Sequence, residues 1–298
     1  MKLLFVVNPI SGGINKEPFL KQAAAFCHKY AIDYKVFKTT GKDDETRLKK
    51  ELIKYLPDRV LAVGGDGTTL FTSIVLQDTG LPMGIIPLGS ANGMATELFV
   101  HNDPIEALKD AVMSNVAAGL DMVVVNKHYP SIHIGDVGIN ARIIEAYEKD
   151  KNRGMVTYAK YFIKELQNLE PFDYSVTTNE KTVTGKALMV GICNARKYGT
   201  GVPLNITGNP MDGKFEIVIV EEINLSSLIK AGLSKFNENF HDSQYGKIIS
   251  TDKAEISFNK PRLLQLDGEL IGNFQELTVD IVKSAVNLIT HNENTYLK

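Results

Sequence analysis

No stretch of the sequence approaches the roughly 18 consecutive apolar residues a membrane-spanning helix needs, so any contact with a bilayer is expected to be peripheral. The apolar run Leu3 to Val7 is too short for the core of a secretion signal, carries no cleavage pattern and leads straight into Asn8-Pro9. It reads as a first strand. Cysteine is scarce: Cys27 and Cys193 are far apart and outside any C-x-x-C or zinc-ligand spacing, which predicts reduced core residues in a cytoplasmic protein. There is no block of Lys and Arg, and the net charge of −2 argues against a nucleic-acid-binding surface. The histidines show no H-E-x-x-H spacing, and no G-x-S-x-G elbow is present, which excludes the common zinc-peptidase and hydrolase signatures. Repeats and low-complexity segments are missing as well.

What remains is an ordinary globular composition, 44% hydrophobic and 23% charged, in a chain of 298 residues that is long enough for two domains. The first hundred residues alternate strand and helix signals. Strands are expected at Lys2 to Val7, Tyr34 to Phe37, around Val60 and at Met83 to Pro87. Helices are expected around Phe19 to Tyr30, Asp43 to Tyr55 and Thr68 to Leu76, with another at Pro104 to Met113. Such alternation predicts a three-layer α/β domain with a mostly parallel sheet. From Leu120 onward the pattern turns to strands: Met122 to Val125, Ser131 to Ile134, Tyr174 to Thr178, Ala187 to Cys193, Phe215 to Val220, Ala254 to Phe258, Leu263 to Leu266 and Leu277 to Ile281. These predict an antiparallel β-sandwich. One helix interrupts them, with Met155, Tyr158, Phe162, Leu166 and Leu169 on one face. The expected division is 1–121 for the nucleotide-type domain and 122–282 for the sandwich, with 283–298 (strand Ala285 to Thr290) returning to the first.

The stretch 60-VLAVGGDGTTLF-71 is a strand, a glycine turn and a helix start. Backbone N–H groups at such a helix start favour anions, yet Asp66 puts a negative charge at the centre of the turn. Asn8 to Gly13 and Pro87 to Gly93 form two further turns at the carboxyl ends of strands, and ligands of these sheets bind at that edge. Asn8, Ser11, Gly64 to Thr68, Ser90 and Asn92 are thereby expected to converge on a nucleotide. Two other Asp-Gly pairs, Asp212-Gly213 and Asp267-Gly268, read first as turns. The second is a type I′ hairpin between apolar runs.

The order NPISGG, VGGDGT, PLGSANGMA, YGTGVPLNITGNPMDGKFEIVIV and LQLDGE, joined by GINARI and RGMVTYAKYFIKEL, resembles the diacylglycerol kinase catalytic-domain family, which includes bacterial lipid kinases and sphingosine and ceramide kinases. The likeness covers nearly the whole chain. It implies an ATP-dependent kinase that moves the γ-phosphate of Mg-ATP to a lipid hydroxyl, the lipid being met at a membrane surface. It carries the nucleotide contacts over to Asn8, Ser11, Gly12, Thr39, Gly64, Gly65, Asp66, Gly67, Thr68, Ser90 and Asn92. Glu269 takes the place of the general base. Asp66 helps organise Mg²⁺ or the attacking hydroxyl. A structural magnesium is implied at Asp212, with carbonyls of Asn209 and Lys214. Phe71 stands where the family has the glutamate of GGDGT-x-x-E, and Gly93 where it has Asn-Asp, so two carboxylates are missing. The alternatives are an NAD kinase, which shares GGDGT but whose Thr-Gly-Ser-Thr-Ala-type turn is absent, and a weakly catalytic nucleotide- or lipid-binding regulator. An exposed sandwich edge makes a homodimer an expectation too.

Overall fold

The computed structural model describes residues 1–138, 141, 170–197, 204–205, 207–221 and 247–297. The expected helix over 150–169, and most of GINARI and YGTGVP, lie outside them.

The N-terminal part is built on four parallel strands: β1 (Lys2–Val7), β2 (Asp33–Lys38), β3 (Arg59–Gly64) and β4 (Met83–Pro87), in the order β4-β3-β1-β2. Alternation along these strands feeds two cores, as a parallel sheet covered on both faces requires. Leu3, Phe5, Val7, Leu61, Val63 and Ile86 pack with Phe19 and Cys27 of α1 (Glu17–Lys29) and Leu108 of α5 (Pro104–Met113). On the other face Leu4, Val6, Val60 and Met83 pack with Leu48 and Leu52 of α2 (Asp44–Tyr55), Val75 and Leu76 of α3 (Asp66–Leu76) and Met94 of α4 (Gly93–Glu97). Two features differ from expectation. Helix α3 starts at Asp66 and not Thr68, and the short α4, too brief for a periodic signal, follows the Pro87 turn.

The C-terminal part is an antiparallel sandwich. Its strands are β5 (Val116–Val125), β6 (Tyr129–Ser131), β7 (Ile134–Gly138), β8 (Phe172–Thr178), β9 (Thr182–Ala187), β10 (Met189–Cys193), β11 (Phe215–Val220), β12 (Lys247–Thr251), β13 (Lys253–Leu266) and β14 (Glu269–Thr290). Phe172, Val190, Phe215, Ile217, Ile256, Leu266 and Val279 belong to one core between its layers. The single strand expected at Ser131 to Ile134 is broken in two at Ile132-His133. β9 and β12 escape a reading based on apolar runs because TVTGKA is polar or glycine at all but two positions and KIIST holds only two apolar residues. The expected pairs Ala254–Phe258 with Leu263–Leu266, and Leu277–Ile281 with Ala285–Thr290, are each one strand carrying an irregularity, between Ser257 and Arg262 in β13 and between Val282 and Val286 in β14. Ser284, with φ of 49°, is the turning point of the second.

β14 ties the two parts together. It runs antiparallel to β13 and β5 and, at Leu288↔Met83, parallel to β4. The core on the α2–α4 side also continues into the sandwich through Leu120, Met122, Met189 and Val218. Among the described residues no helix is long and apolar enough to cross a membrane.

Candidate functional site

The carboxyl ends of β1, β3 and β4 lie side by side, with Val7 opposite Val63 and Gly64 opposite Pro87. The turns that follow touch at backbone distance. A side chain on Gly89 would stand 2.2 Å from the Gly65 Cα, and one on Gly12 would stand 2.8 Å from the Ser90 nitrogen. Gly12 also has φ of 63°, a left-handed conformation that costs glycine little. The Ser11 hydroxyl accepts the Gly65 N–H at 3.0 Å, and the Asn92 side-chain oxygen accepts the Gly89 N–H at 2.8 Å. Asn8 holds its own turn by accepting the Ile10 N–H, and its N–H donates to the Val63 carbonyl. Thr39 is anchored to the same edge, its N–H donating to the Val7 carbonyl at 2.9 Å. Asn8, Ser11, Gly12, Thr39, Gly64, Gly65 and Asn92 are thus gathered at one sheet edge, and exposed Ser90 extends the cluster.

Two details give this cradle an anion-binding character. The first turn of α3 begins here, and the leading N–H groups of any helix lack intrahelical partners. The Thr68 hydroxyl, in a residue only 3% exposed, has no hydrogen-bond partner among the described residues. Above Gly67 nothing lies within 4 Å of where a side chain would project, so the turn is open on that side.

Asp66 does not press its charge into the cradle unopposed. Its Oδ2 accepts the Gly93 N–H at 3.0 Å and its Oδ1 accepts the Met94 N–H at 2.8 Å. The first residue of α3 therefore caps the start of α4, and the negative charge faces the positive end of a helix. Gly93, the position that lacks the family's acid, is a donor in this cap. Phe71 packs against the α2–α4 core.

At its other end α4 meets the sandwich. Glu97, 3% exposed, accepts from the Arg196 N–H at 3.2 Å, the Arg196 Nε–H at 2.9 Å and the Tyr296 hydroxyl. The Arg196 guanidinium also lies over the Tyr296 ring, 4.9 Å from its centre. Burial, followed by the Glu97 charge, pushes the Tyr296 hydroxyl far above its ordinary range, so it remains a donor. Just before Arg196, the N–H groups of Asn194 and Ala195 donate to the His133 carbonyl. His133 and its neighbours are in turn held by Asp267. Oδ1 of that residue accepts the Ser131 hydroxyl and the His133 N–H, and Oδ2 accepts the Ile132 N–H at 3.0 Å. Burial pushes the Asp267 carboxyl up, against the pull of His133 and these donors.

Asp267 and Gly268 are the two loop residues of the β13–β14 hairpin, since Leu266 pairs with Glu269, and both have positive φ (50° and 88°). The expected type I′ turn is what such angles describe. Glu269, the next residue, is exposed, and no hydrogen bond or ion pair engages it among the described residues. Hydrogen bonds and the short chain segments between them thus link the Gly65 turn, through Asp66, α4, Glu97, the Asn194–Arg196 segment and His133, to the hairpin that carries Glu269.

The Asp212 turn belongs to a different neighbourhood. Asp212 is exposed and its Oδ1 accepts the Lys214 N–H at 2.9 Å, while Asn209 accepts the Met211 N–H at 3.0 Å. Behind them buried Asp121 accepts the Gly213 N–H at 2.6 Å and the Ser284 N–H at 2.7 Å, which fixes the irregularity of β14. Burial, helped by the Asp212 charge, raises the carboxyls of Asp121 and Glu216. No group of three His, Cys, Asp or Glu side chains able to hold a metal occurs among the described residues. Of the residues the resemblance names there, Asp212 offers one exposed carboxylate with an oxygen already engaged by the Lys214 N–H, so a magnesium there would have to be held mostly by water.

Sequence reading missed Asp121, Lys16, Glu97, Arg196 and Tyr296. Glu97 did leave a signal: it lies among Met94, Ala95 and Leu98, a carboxylate inside an apolar stripe. Asp121, Arg196 and Tyr296 have distant partners and leave none, and Lys16, whose partners are the nearby carbonyls of Ser11 and Ile14, is one lysine among many in the sequence.

Two family models match the chain. The diacylglycerol kinase catalytic domain covers residues 2–125, and the YegS C-terminal NAD kinase beta sandwich-like domain covers residues 134–290. A relative from Klebsiella pneumoniae (strain 342), named probable lipid kinase YegS-like, is 31% identical over 87% of this chain and 87% of its own length. A diacylglycerol kinase from Bacillus subtilis (strain 168) is 25% identical over 90% of this chain and 89% of its own. A crystal structure of a diacylglycerol kinase from Bacillus anthracis str. Sterne superposes with a TM-score of 0.73 at 18% identity, covering 99% of this chain and 98% of the other, which is a likeness of fold.

Proposed function

This chain belongs to the diacylglycerol kinase catalytic-domain family and is a kinase; from that premise we propose that it transfers the γ-phosphate of ATP to a hydroxyl group of a lipid. The observation that carries the ATP half is the backbone contact of three turns, lined by Gly12, Gly65 and Gly89, around the start of α3. Such a surface lets phosphate oxygens approach N–H groups without meeting side chains. Ser11, Gly12, Gly64, Gly65, Gly67, Thr68, Ser90 and Asn92 form the phosphate cradle, with Asn8 and Thr39 at its margin. The lipid half is supported by the relatives' names and by the sandwich they share.

In this reading Glu269 is the general base. It is an exposed carboxylate without a side-chain partner among the described residues, on a hairpin that Asp267 anchors to Ser131, Ile132 and His133. It takes the proton of the acceptor hydroxyl as the hydroxyl attacks in line. Asp66, whose two oxygens each hold an amide, acts by positioning α4 and the Asn92 turn. That differs from the direct role the resemblance implies. Magnesium bound with ATP supplies charge neutralisation on the phosphates. A second, structural magnesium is proposed at Asp212 with carbonyls of Asn209 and Lys214, because a cation there would relieve the crowding of Asp121, Asp212 and Glu216. The lipid is met at a membrane surface by peripheral contact.

The test is incubation with labelled ATP and either a total lipid extract or NAD. Label in lipid is expected. Label in NADP would overturn the acceptor, and ATP binding without transfer to either would leave a nucleotide-binding regulator.

A further inference from the structure

Lys16 immediately precedes α1, and only 3% of it is exposed. Its ammonium donates to the carbonyl of Ser11 and, at 2.8 Å, to that of Ile14. Among the described residues no carboxylate lies within ion-pair distance of it; neighbouring Glu17 pairs outward with Lys38 at 2.9 Å. A buried charge is costly unless it is paired, and two carbonyl dipoles compensate an ammonium only in part. The ammonium has three donors, and the carbonyls take two. Burial accordingly lowers the Lys16 pKa, with no acidic neighbour to offset it.

Ser11, whose carbonyl receives one of these bonds, is also the residue whose hydroxyl accepts the Gly65 N–H. The ammonium therefore braces the same short turn that joins the β1 and β3 ends. That turn's next residue, Gly12, lies against the backbone of Gly89 and Ser90. We propose that Lys16 is the built-in countercharge of the phosphate cradle, its missing anion being the polyphosphate of the bound nucleotide. This rests on the ATP reading above and adds a cation to a cradle otherwise made of glycines, hydroxyls and amides.

The experiment is calorimetric binding of ATP, inorganic tripolyphosphate and adenosine to the full chain and to Lys16→Met, Lys16→Gln and Lys16→Arg, with melting curves for each. ATP and tripolyphosphate affinity should fall by about tenfold or more in the Met and Gln variants, as expected for loss of one charge-assisted contact. Lys16→Arg should stay close to wild type, and adenosine should bind all four alike. Should Lys16→Met fail to fold, the contrast between Gln and Arg decides. Unchanged ATP affinity in folded Lys16→Gln overturns the countercharge while leaving the ATP reading intact. Equal losses in Gln and Arg overturn it too, since shape and not charge would then be at work. A wild-type protein that binds no ATP removes the ATP reading, and this inference with it.

Discussion

Asp66-Gly67 in the N-terminal part and Asp267-Gly268 in the C-terminal part are the same dipeptide, set into different backbones and put to the same use. Asp66 opens a helix and captures the amides of Gly93 and Met94; Asp267 sits in a hairpin loop with positive φ and captures Ser131, Ile132 and His133. Each ties its turn to a segment remote in sequence. Asp212-Gly213 contrasts with both, because its carboxylate, which is exposed, reaches the Lys214 N–H alone among the described residues. An Asp-Gly pair therefore marks a turn without saying whether its charge is spent inside the fold or left for a ligand. The acid beside such a turn whose side chain has no partner among the described residues is the neighbour, Glu269.

The sharpest way to break this division of labour is Glu269→Gln. Turnover on the best lipid should fall by about 10² to 10⁴-fold, roughly 3–5 kcal/mol of barrier, with melting temperature and ATP affinity nearly unchanged. Near-normal turnover would return Glu269 to being a plain hairpin residue. Asp267→Ala should do the reverse. It strands two amides and a hydroxyl, so a stability loss of about 3 kcal/mol is expected in denaturant titration. Asp66→Ala removes a two-amide cap and should cost about 2 kcal/mol and also weaken ATP binding, because the Asn92 turn loses its hold. If Asp66→Ala keeps its stability and loses only magnesium-dependent turnover, Asp66 belongs with the ligand-facing acids.

Acid titration separates carboxylates that the fold favours as charges from those it does not. Burial works against the charge of Asp44, but the N–H groups of Thr40 and Gly41 and the Arg47 charge outweigh it and lower its pKa below 3.8. Its stabilisation is thus present above pH 3.8 and lost as pH falls through the lower folded value. Asp44→Asn should destabilise at pH 7 and match wild type in strong acid. Glu216 is the opposite case, raised above 4.5 chiefly by burial. Its contribution is fully present below pH 4.5 and lost as pH rises through the folded value. The melting temperature of Glu216→Gln should therefore gain on wild type as pH rises from 4.5 to 7. Asp212→Asn should have the smallest effect, within about 0.5 kcal/mol in metal-free buffer. A larger loss appearing only with magnesium present would support the proposed cation, and no magnesium dependence at all would leave the plain turn.

Much of this molecule was legible because it repeats local rules. The alternation of strands and helices to Met113, the glycine turns and the type I′ hairpin each follow from a few adjacent residues. What was illegible depends on contacts between distant residues. Lys283-Ser284 looked like a break between two strands because the Asp121 carboxylate, which takes the Ser284 N–H and holds the chain there, is far away in sequence. Ser131 to Ile134 looked continuous because the break at Ile132-His133 serves Asp267. The gathering of Asn8, Ser11, Gly65 and Asn92 could be foreseen from sheet topology. The buried bonds of Glu97 with Arg196 and Tyr296 could not, since nothing near each residue names its partners.

β14 closes the sheet of the first part with residues made long after β4. The pairing of Leu288 with Met83 leaves β4 an open edge throughout synthesis of the sandwich, shielded only by its brevity and by Pro87. Ribosome-bound chains truncated before residue 288 should thus carry a nucleotide-type sheet that is formed but unsealed. The first half would then be completed by a strand of the second, made some two hundred residues later.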